Sequence, residues 1–79
     1  MNVNEAIRLT EENLKNNKDF QNFINYTNEE IKKACEQGRR RAVMFTNYNL
    51  KESLIKYWES KGFEVKRLFQ PQTTLYVIW

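Results

Sequence analysis

Apolar side chains follow a helical rhythm through the first part of the chain. They recur every three or four positions over residues 3–14 and again, in a new phase, over residues 20–35. Such spacing is typical of helices that bury one face. Asn2 and Glu5 form a plausible capping box for the first helix, and the polar residues 16–19 predict a kink or a short loop between the two phases.

The second phase fits either one helix or two. Thr27 and Glu30 form another possible capping box, which would start a separate helix running to Gln37. Gly38 then suits the left-handed position that follows a helix end. The sequence therefore predicts a helical part over residues 1–37 and leaves its number of helices open.

After Gly38 the pattern changes to a strand followed by a helix. Residues 41–46 are apolar or β-branched on both alternating faces, which is typical of a strand in the middle of a sheet. A helical stripe then spans residues 50–61, with a third possible capping box at Asn49 and Glu52. Gly62 is placed to end that helix.

Two further strands complete the pattern. Residues 63–69 alternate between apolar and polar side chains, Pro71 favours a β-turn within residues 70–73, and residues 73–79 are rich in strand formers. A helical connection should make the first two strands parallel, whereas the tight turn should make the last two antiparallel. We expect a single α+β domain over residues 1–79, in which the helical part precedes a β-α-β-β unit (residues 40–79) with a small, mixed three-stranded sheet.

Both faces of this sheet are expected to need cover. On the last strand Leu75, Val77 and Trp79 should share one face, and Tyr76 and Ile78 should share the other. The second group is expected to lie beside Ala42, Met44 and Leu68. The helix of residues 50–61 can cover one face and the N-terminal helices the other. If they do not, a second copy must, so we expect a homo-oligomer.

Composition argues against most catalytic and metal chemistry. The chain of 79 residues has no histidine, one cysteine and two glycines. It therefore lacks the commonest general base and metal ligand and has no phosphate-binding glycine loop. Cys35, beside Ile31 and Ala34 on a helical stripe, is expected to be a small core residue. We expect no enzyme activity, catalytic residues, cofactor or metal.

The same features favour a bacterial cytoplasmic location. A single cysteine forms no disulfide within the chain, which fits a reducing compartment. The N-terminal residues lack the apolar stretch of a signal peptide, and no run of residues is long and apolar enough to span a membrane. No contact with a membrane is expected.

Positive charge is concentrated in the second part of the chain. Residues 1–30 contain three Lys or Arg against six Asp or Glu, a net charge of −3, whereas residues 31–79 contain ten against four, a net charge of +6. Such a surface attracts anions, and guanidinium groups pair well with phosphates. The candidate ligand-binding residues are the basic side chains near the strand starts and one loop tyrosine: Arg39, Arg40, Arg41, Tyr48, Lys66 and Arg67.

Each candidate also has a simpler structural explanation. The arginine cluster is equally typical of a solvated connection that complements the negative end of a helix. Most aromatic side chains are expected in the core, but Tyr48 lies in a polar loop after the first strand, where open sheets usually bind ligands. Because Tyr48 and the arginines lie at opposite strand ends, one shared site would need a second subunit.

The order of motifs resembles a group of small phage and prophage proteins. The shared features are I-x-x-A-x-x-x-G before a strand, a helix leading to K-G-F-x-V, and a final T-L-Y-V-I-W, over residues 31–79. The resemblance implies a phage accessory or anti-defence protein that acts by binding, and it carries over no functional residues. The arginine cluster and the additional aromatic residues depart from the group's pattern.

Three functions are compatible with these observations. The first is a non-enzymatic protein that captures an anionic ligand, such as a nucleotide signal or a nucleic acid. The second is an inhibitor or assembly factor that binds a host protein through a sheet edge or an apolar sheet face. A DNA-binding regulator ranks last, because no predicted helix is strongly basic.

Overall fold

The computed structural model describes residues 1–67 and 75–79, and these form three helices and three strands. The elements in chain order are α1 (Val3–Lys15), α2 (Lys18–Glu36), β1 (Arg41–Met44), α3 (Lys51–Ser60), β2 (Glu64–Arg67) and β3 (Leu75–Ile78). The predicted α+β class, with N-terminal helices before the strands, is confirmed. Leu68, Phe69 and the predicted turn at residues 70–73 lie outside the described residues.

Asparagine side chains start the two N-terminal helices. Asn2 Oδ1 accepts a hydrogen bond from the Glu5 backbone N–H at 2.9 Å, so the cap predicted for α1 is confirmed. Asn17 Oδ1 accepts from the Phe20 N–H at 2.9 Å and starts α2, which confirms a break at residues 16–19. From there α2 continues without interruption to Glu36, so residues 20–36 belong to one helix.

Two predicted capping boxes are wrong. Thr27 lies inside α2 and is fully buried, so it does not start a helix. Its hydroxyl oxygen instead accepts a hydrogen bond from the Phe45 N–H at 3.0 Å. α3 has Leu50 at its N-cap position and no side-chain cap there; Asn47 Oδ1 instead accepts from the Leu50 N–H at 2.8 Å in the turn before the helix.

Both glycines follow helices, as predicted. Gly38 has a φ of +71° and Gly62 a φ of +92°, in the region where a side chain would be strained. Immediately after Gly38, the Arg39 N–H donates to the Ala34 carbonyl at 2.8 Å. This turn sends the chain from α2 directly into β1.

The strand order is β1-β3-β2, and both neighbouring pairs are antiparallel. β1 and β2 therefore run in the same direction, as predicted, but β3 lies between them, so the sheet is antiparallel and the prediction of a mixed sheet is wrong. The expected central position of β1 is wrong, and β1 is an edge strand. Residues 42–45 are apolar on both faces, but only one face is buried, because Val43 and Phe45 remain 37% and 38% exposed.

The register decides which side chains share a face of the sheet. Ala42 lies opposite Val77, and Met44 lies opposite Leu75. Residues directly opposite one another point to the same face, so Tyr76 does not lie beside Ala42 or Met44, contrary to the prediction. All four opposed residues are buried, so this register gives one continuous apolar face.

α2 and α3 both pack on that face, which we call the covered face. One core joins side chains of both helices to those of β1 and β3: Phe20, Ile24, Ala34, Ala42, Met44, Leu54, Ile55, Trp58, Leu75 and Val77. The prediction that the helices cover opposite faces is therefore wrong. Cys35 is exposed, also contrary to the prediction, because the neighbouring Ala34 takes the buried position on α2.

Candidate functional site

The opposite side of the sheet is not covered by a described helix, and we call it the open face. Its side chains form two rows across the three strands. One row is Arg41, Ile78 and Glu64, and the other is Val43, Tyr76 and Lys66. Each row runs β1, β3, β2, so its outer members lie about 10 Å apart, or two strand spacings.

Tyr76 is the centre of the candidate site. The Arg41 guanidinium carbon lies 5.5 Å from the centroid of the Tyr76 ring, on the β1 side. Lys66 is directly opposite Tyr76 on the β2 side. The half-buried tyrosine thus lies between two exposed cationic residues on the open face.

Two further arginines, Arg39 and Arg40, lie immediately before β1. The Arg40 carbonyl accepts a hydrogen bond from the Trp79 N–H at 3.0 Å, while the Arg39 N–H is bonded to Ala34. Both side chains are exposed although their backbone is held at two points. Arg40 is two residues before Ala42 and its backbone pairs with Trp79, so strand alternation directs it to the covered side. The open face itself carries Arg41 and Lys66 against one acidic residue, Glu64, a net charge of +1 (two minus one).

Neither Arg41 nor Lys66 is in an ion pair among the described residues. Within residues 1–67 and 75–79, the ion pairs involve other residues: Arg8 with Glu12, Lys32 with Glu29, Lys33 with Glu30, and Arg67 with Glu52. Binding an anion on the open face therefore breaks no ion pair among the described residues, which lowers its cost.

The structure also separates Arg67 and Tyr48 from the two cations of the open face. Arg67 lies opposite Leu75 on the covered side, where its Nη2 donates to both Glu52 carboxylate oxygens at 3.1 and 3.2 Å. Tyr48 is 95% exposed. It lies in the loop after β1 ends at Met44, so it is at the opposite end of that strand from the arginines. Neither residue joins the cluster around Tyr76.

Sequence reasoning missed Tyr76 because it assigned this residue to an apolar face of the sheet. The useful signal was the position of the charges: Arg41 directly precedes the apolar Ala42 on one outer strand, and Lys66 directly follows the apolar Val65 on the other. A residue aligned with those charges, and not with Ala42, belongs to the solvent side.

Comparisons with protein-family models, with curated proteins and with solved structures found no match to this chain. Within the described ranges, every helix is too short or too polar to cross a lipid bilayer. The same ranges contain no cluster of three potential metal ligands among His, Cys, Asp and Glu. The proposals below therefore rest on geometry and charge.

Proposed function

We propose that this protein is a non-enzymatic binding protein that captures a nucleotide or a single strand of nucleic acid on its open face. The observation that supports the proposal is the arrangement of Arg41, Tyr76 and Lys66, an aromatic ring between two cations that have no carboxylate partner among the described residues. Phosphates suit the cations, and nucleic-acid bases stack on aromatic rings and guanidinium planes.

The location of the site on a sheet surface favours a single strand over a duplex. A duplex is usually read by a helix inserted into its major groove, but α2 and α3 pack on the other side of the sheet. α3 also has no net charge, since Lys51 and Lys56 are balanced by Glu52 and Glu59. A regulator of duplex DNA therefore remains the weakest alternative.

Fluorescence anisotropy with labelled 12-nucleotide single strands and with labelled mononucleotides tests the proposal. The double variant Arg41→Glu with Lys66→Glu should weaken binding at least tenfold, because each lost charge-assisted contact costs about 1.5–3 kcal/mol and tenfold corresponds to about 1.4 kcal/mol. For a nucleic acid, the affinity of the original chain should also fall steeply as salt rises.

A control with the same change in charge is Lys18→Glu with Lys32→Glu, two exposed positions on α2. The control should reduce affinity only slightly, through long-range electrostatics. Equal losses in the two double variants, or no loss in either, would refute a site on the open face.

Binding to a host protein is the second candidate, and the exposure of Val43 on edge strand β1 and of Phe45 directly after it favours it. A free strand edge with apolar side chains is able to pair with an extended peptide. Such a complex should be little affected by salt and should be lost on Val43→Lys. The phage or anti-defence role rests on the sequence resemblance alone and stays a prediction.

A further inference from the structure

α1 differs from the other helices in its packing. Within the described part of the chain it is the one helix without a buried side chain. Its apolar stripe is largely open to solvent, with Val3 71% and Ile7 53% exposed, and only Leu14 contacts the core. A helix of 13 residues is marginally stable in water without tertiary packing, so this stripe needs a partner.

The stripe forms one wall of an apolar groove. α2 and α3 provide the other wall, and the volume between the walls is about 790 Å³. The main apolar lining residues are Val3, Ile7, Leu14, Phe20, Ile24 and Tyr57. The groove therefore offers a helical partner two apolar walls.

We propose that a second copy of this chain fills the groove with its own α1, so that two copies form a two-fold symmetric dimer. In a symmetric interface the same surface serves both partners. Antiparallel pairing of two α1 helices places Val3 of one copy opposite Leu14 of the other and Ile7 opposite Thr10. The stripe is matched along its whole length, about 20 Å for 13 residues.

Charge at the edge of the groove supports this occupant. Glu11 borders the stripe on α1, and Lys56 of α3 lines the facing wall. Among the described residues neither is in an ion pair within its own chain. In the dimer Glu11 of each copy approaches Lys56 of the other, which gives two complementary contacts.

The charge of α1 argues against a membrane surface as the occupant. Glu5, Glu11 and Glu12 outnumber Arg8 and Lys15, so the helix has a net charge of −1 (two minus three). Helices that bind anionic lipid surfaces have polar faces rich in Lys and Arg. The dimer also leaves the open face free, because the groove lies on the helical side of the sheet. Two copies would therefore present two open faces to one long ligand.

Sedimentation equilibrium of the full chain over about 1–500 µM tests this proposal, since dissociation of a dimer depends on concentration. The mass should approach twice the 9.6 kDa of one chain. Ile7→Glu should raise the dissociation constant at least tenfold by placing a charge on the stripe. Leu9→Glu is the matched control, because Leu9 is on the same helix but does not line the groove, and it should leave the dimer intact.

A charge exchange separates specific pairing from loss of folding. Glu11→Lys and Lys56→Glu should each weaken the dimer, and their combination should restore it while circular dichroism stays unchanged. A monomer at every concentration, a dimer that survives Ile7→Glu, or no restoration in the combined variant would overturn the proposal. Anisotropy measures the ligand separately, so failure of the dimer and failure of the open-face site are distinguishable.

Discussion

The two faces of the sheet are built from the same three strands, yet they differ in nearly every physical property. On the covered face Ala42, Met44, Leu75 and Val77 are buried in one apolar core with α2 and α3. On the open face the alternate positions hold charges and half-exposed side chains around Tyr76. Because successive residues of a strand point to opposite sides, a four-residue strand can contribute to stability with one pair and to binding with the other.

The largest difference in stability should come from two positions on β3. Leu75 is fully buried on the covered face, so Leu75→Ala should lower the free energy of unfolding by about 2–5 kcal/mol. Ile78 is half-buried on the open face, and Ile78→Ala should cost no more than about 1 kcal/mol. Urea denaturation at one fixed protein concentration measures both, and equal costs would mean that the open face is covered in solution.

A smaller effect is expected at Thr27, whose hydroxyl ties α2 to the end of β1. Thr27→Val removes the acceptor of the Phe45 N–H and should lower the free energy of unfolding by about 1–3 kcal/mol. Hydrogen exchange gives the sharper measurement, because Phe45 should lose amide protection in Thr27→Val and keep it in Thr27→Ser. Protection kept in Thr27→Val and lost in Thr27→Ser would show that the methyl group, and not the hydrogen bond, holds the strand end.

The smallest effect on stability is expected at two neighbouring residues of β2, Lys66 and Arg67. Arg67 should matter slightly for stability and not for binding, and Lys66 should matter for binding and not for stability. Arg67→Gln removes an exposed ion pair with Glu52, which is worth at most about 1 kcal/mol. Lys66→Gln should leave stability unchanged but weaken binding of the nucleotide or single strand. Arg67→Gln should leave that binding unchanged. Denaturation and anisotropy on the same two variants test this difference, and a stronger loss of binding from Arg67→Gln would contradict the site.

Local features of this fold were predictable because neighbouring residues determine them. The cap at Asn2 and the left-handed glycines at Gly38 and Gly62 depend on a few consecutive residues. The same local reasoning failed for Thr27, where a distant backbone group, the Phe45 N–H, competes for the hydroxyl. It also failed at Cys35, because one residue along a helix turns the side chain by about 100°.

Strand order and register depend on pairing between distant parts of the chain. Nothing within residues 41–46 indicates that they pair only with β3, so the edge position of β1 was not readable locally. The candidate site was affected in the same way. Arg41 and Lys66 were identified as charges, but Tyr76 was placed on the wrong side by an incorrect register, and Arg67 was not known to meet Glu52.

The position of β3 between β1 and β2 has a consequence for folding kinetics. β3 follows both of its neighbours in the sequence, and Arg41 must find Ile78 across the intervening α3 and β2. Neither ladder can therefore form until β3 has left the ribosome, and until then β1 and the apolar stripe of α2 stay exposed to aggregation. Such non-local pairing slows folding relative to helical proteins of the same size. It also couples the two ladders, since detaching the central strand β3 dissolves both at once.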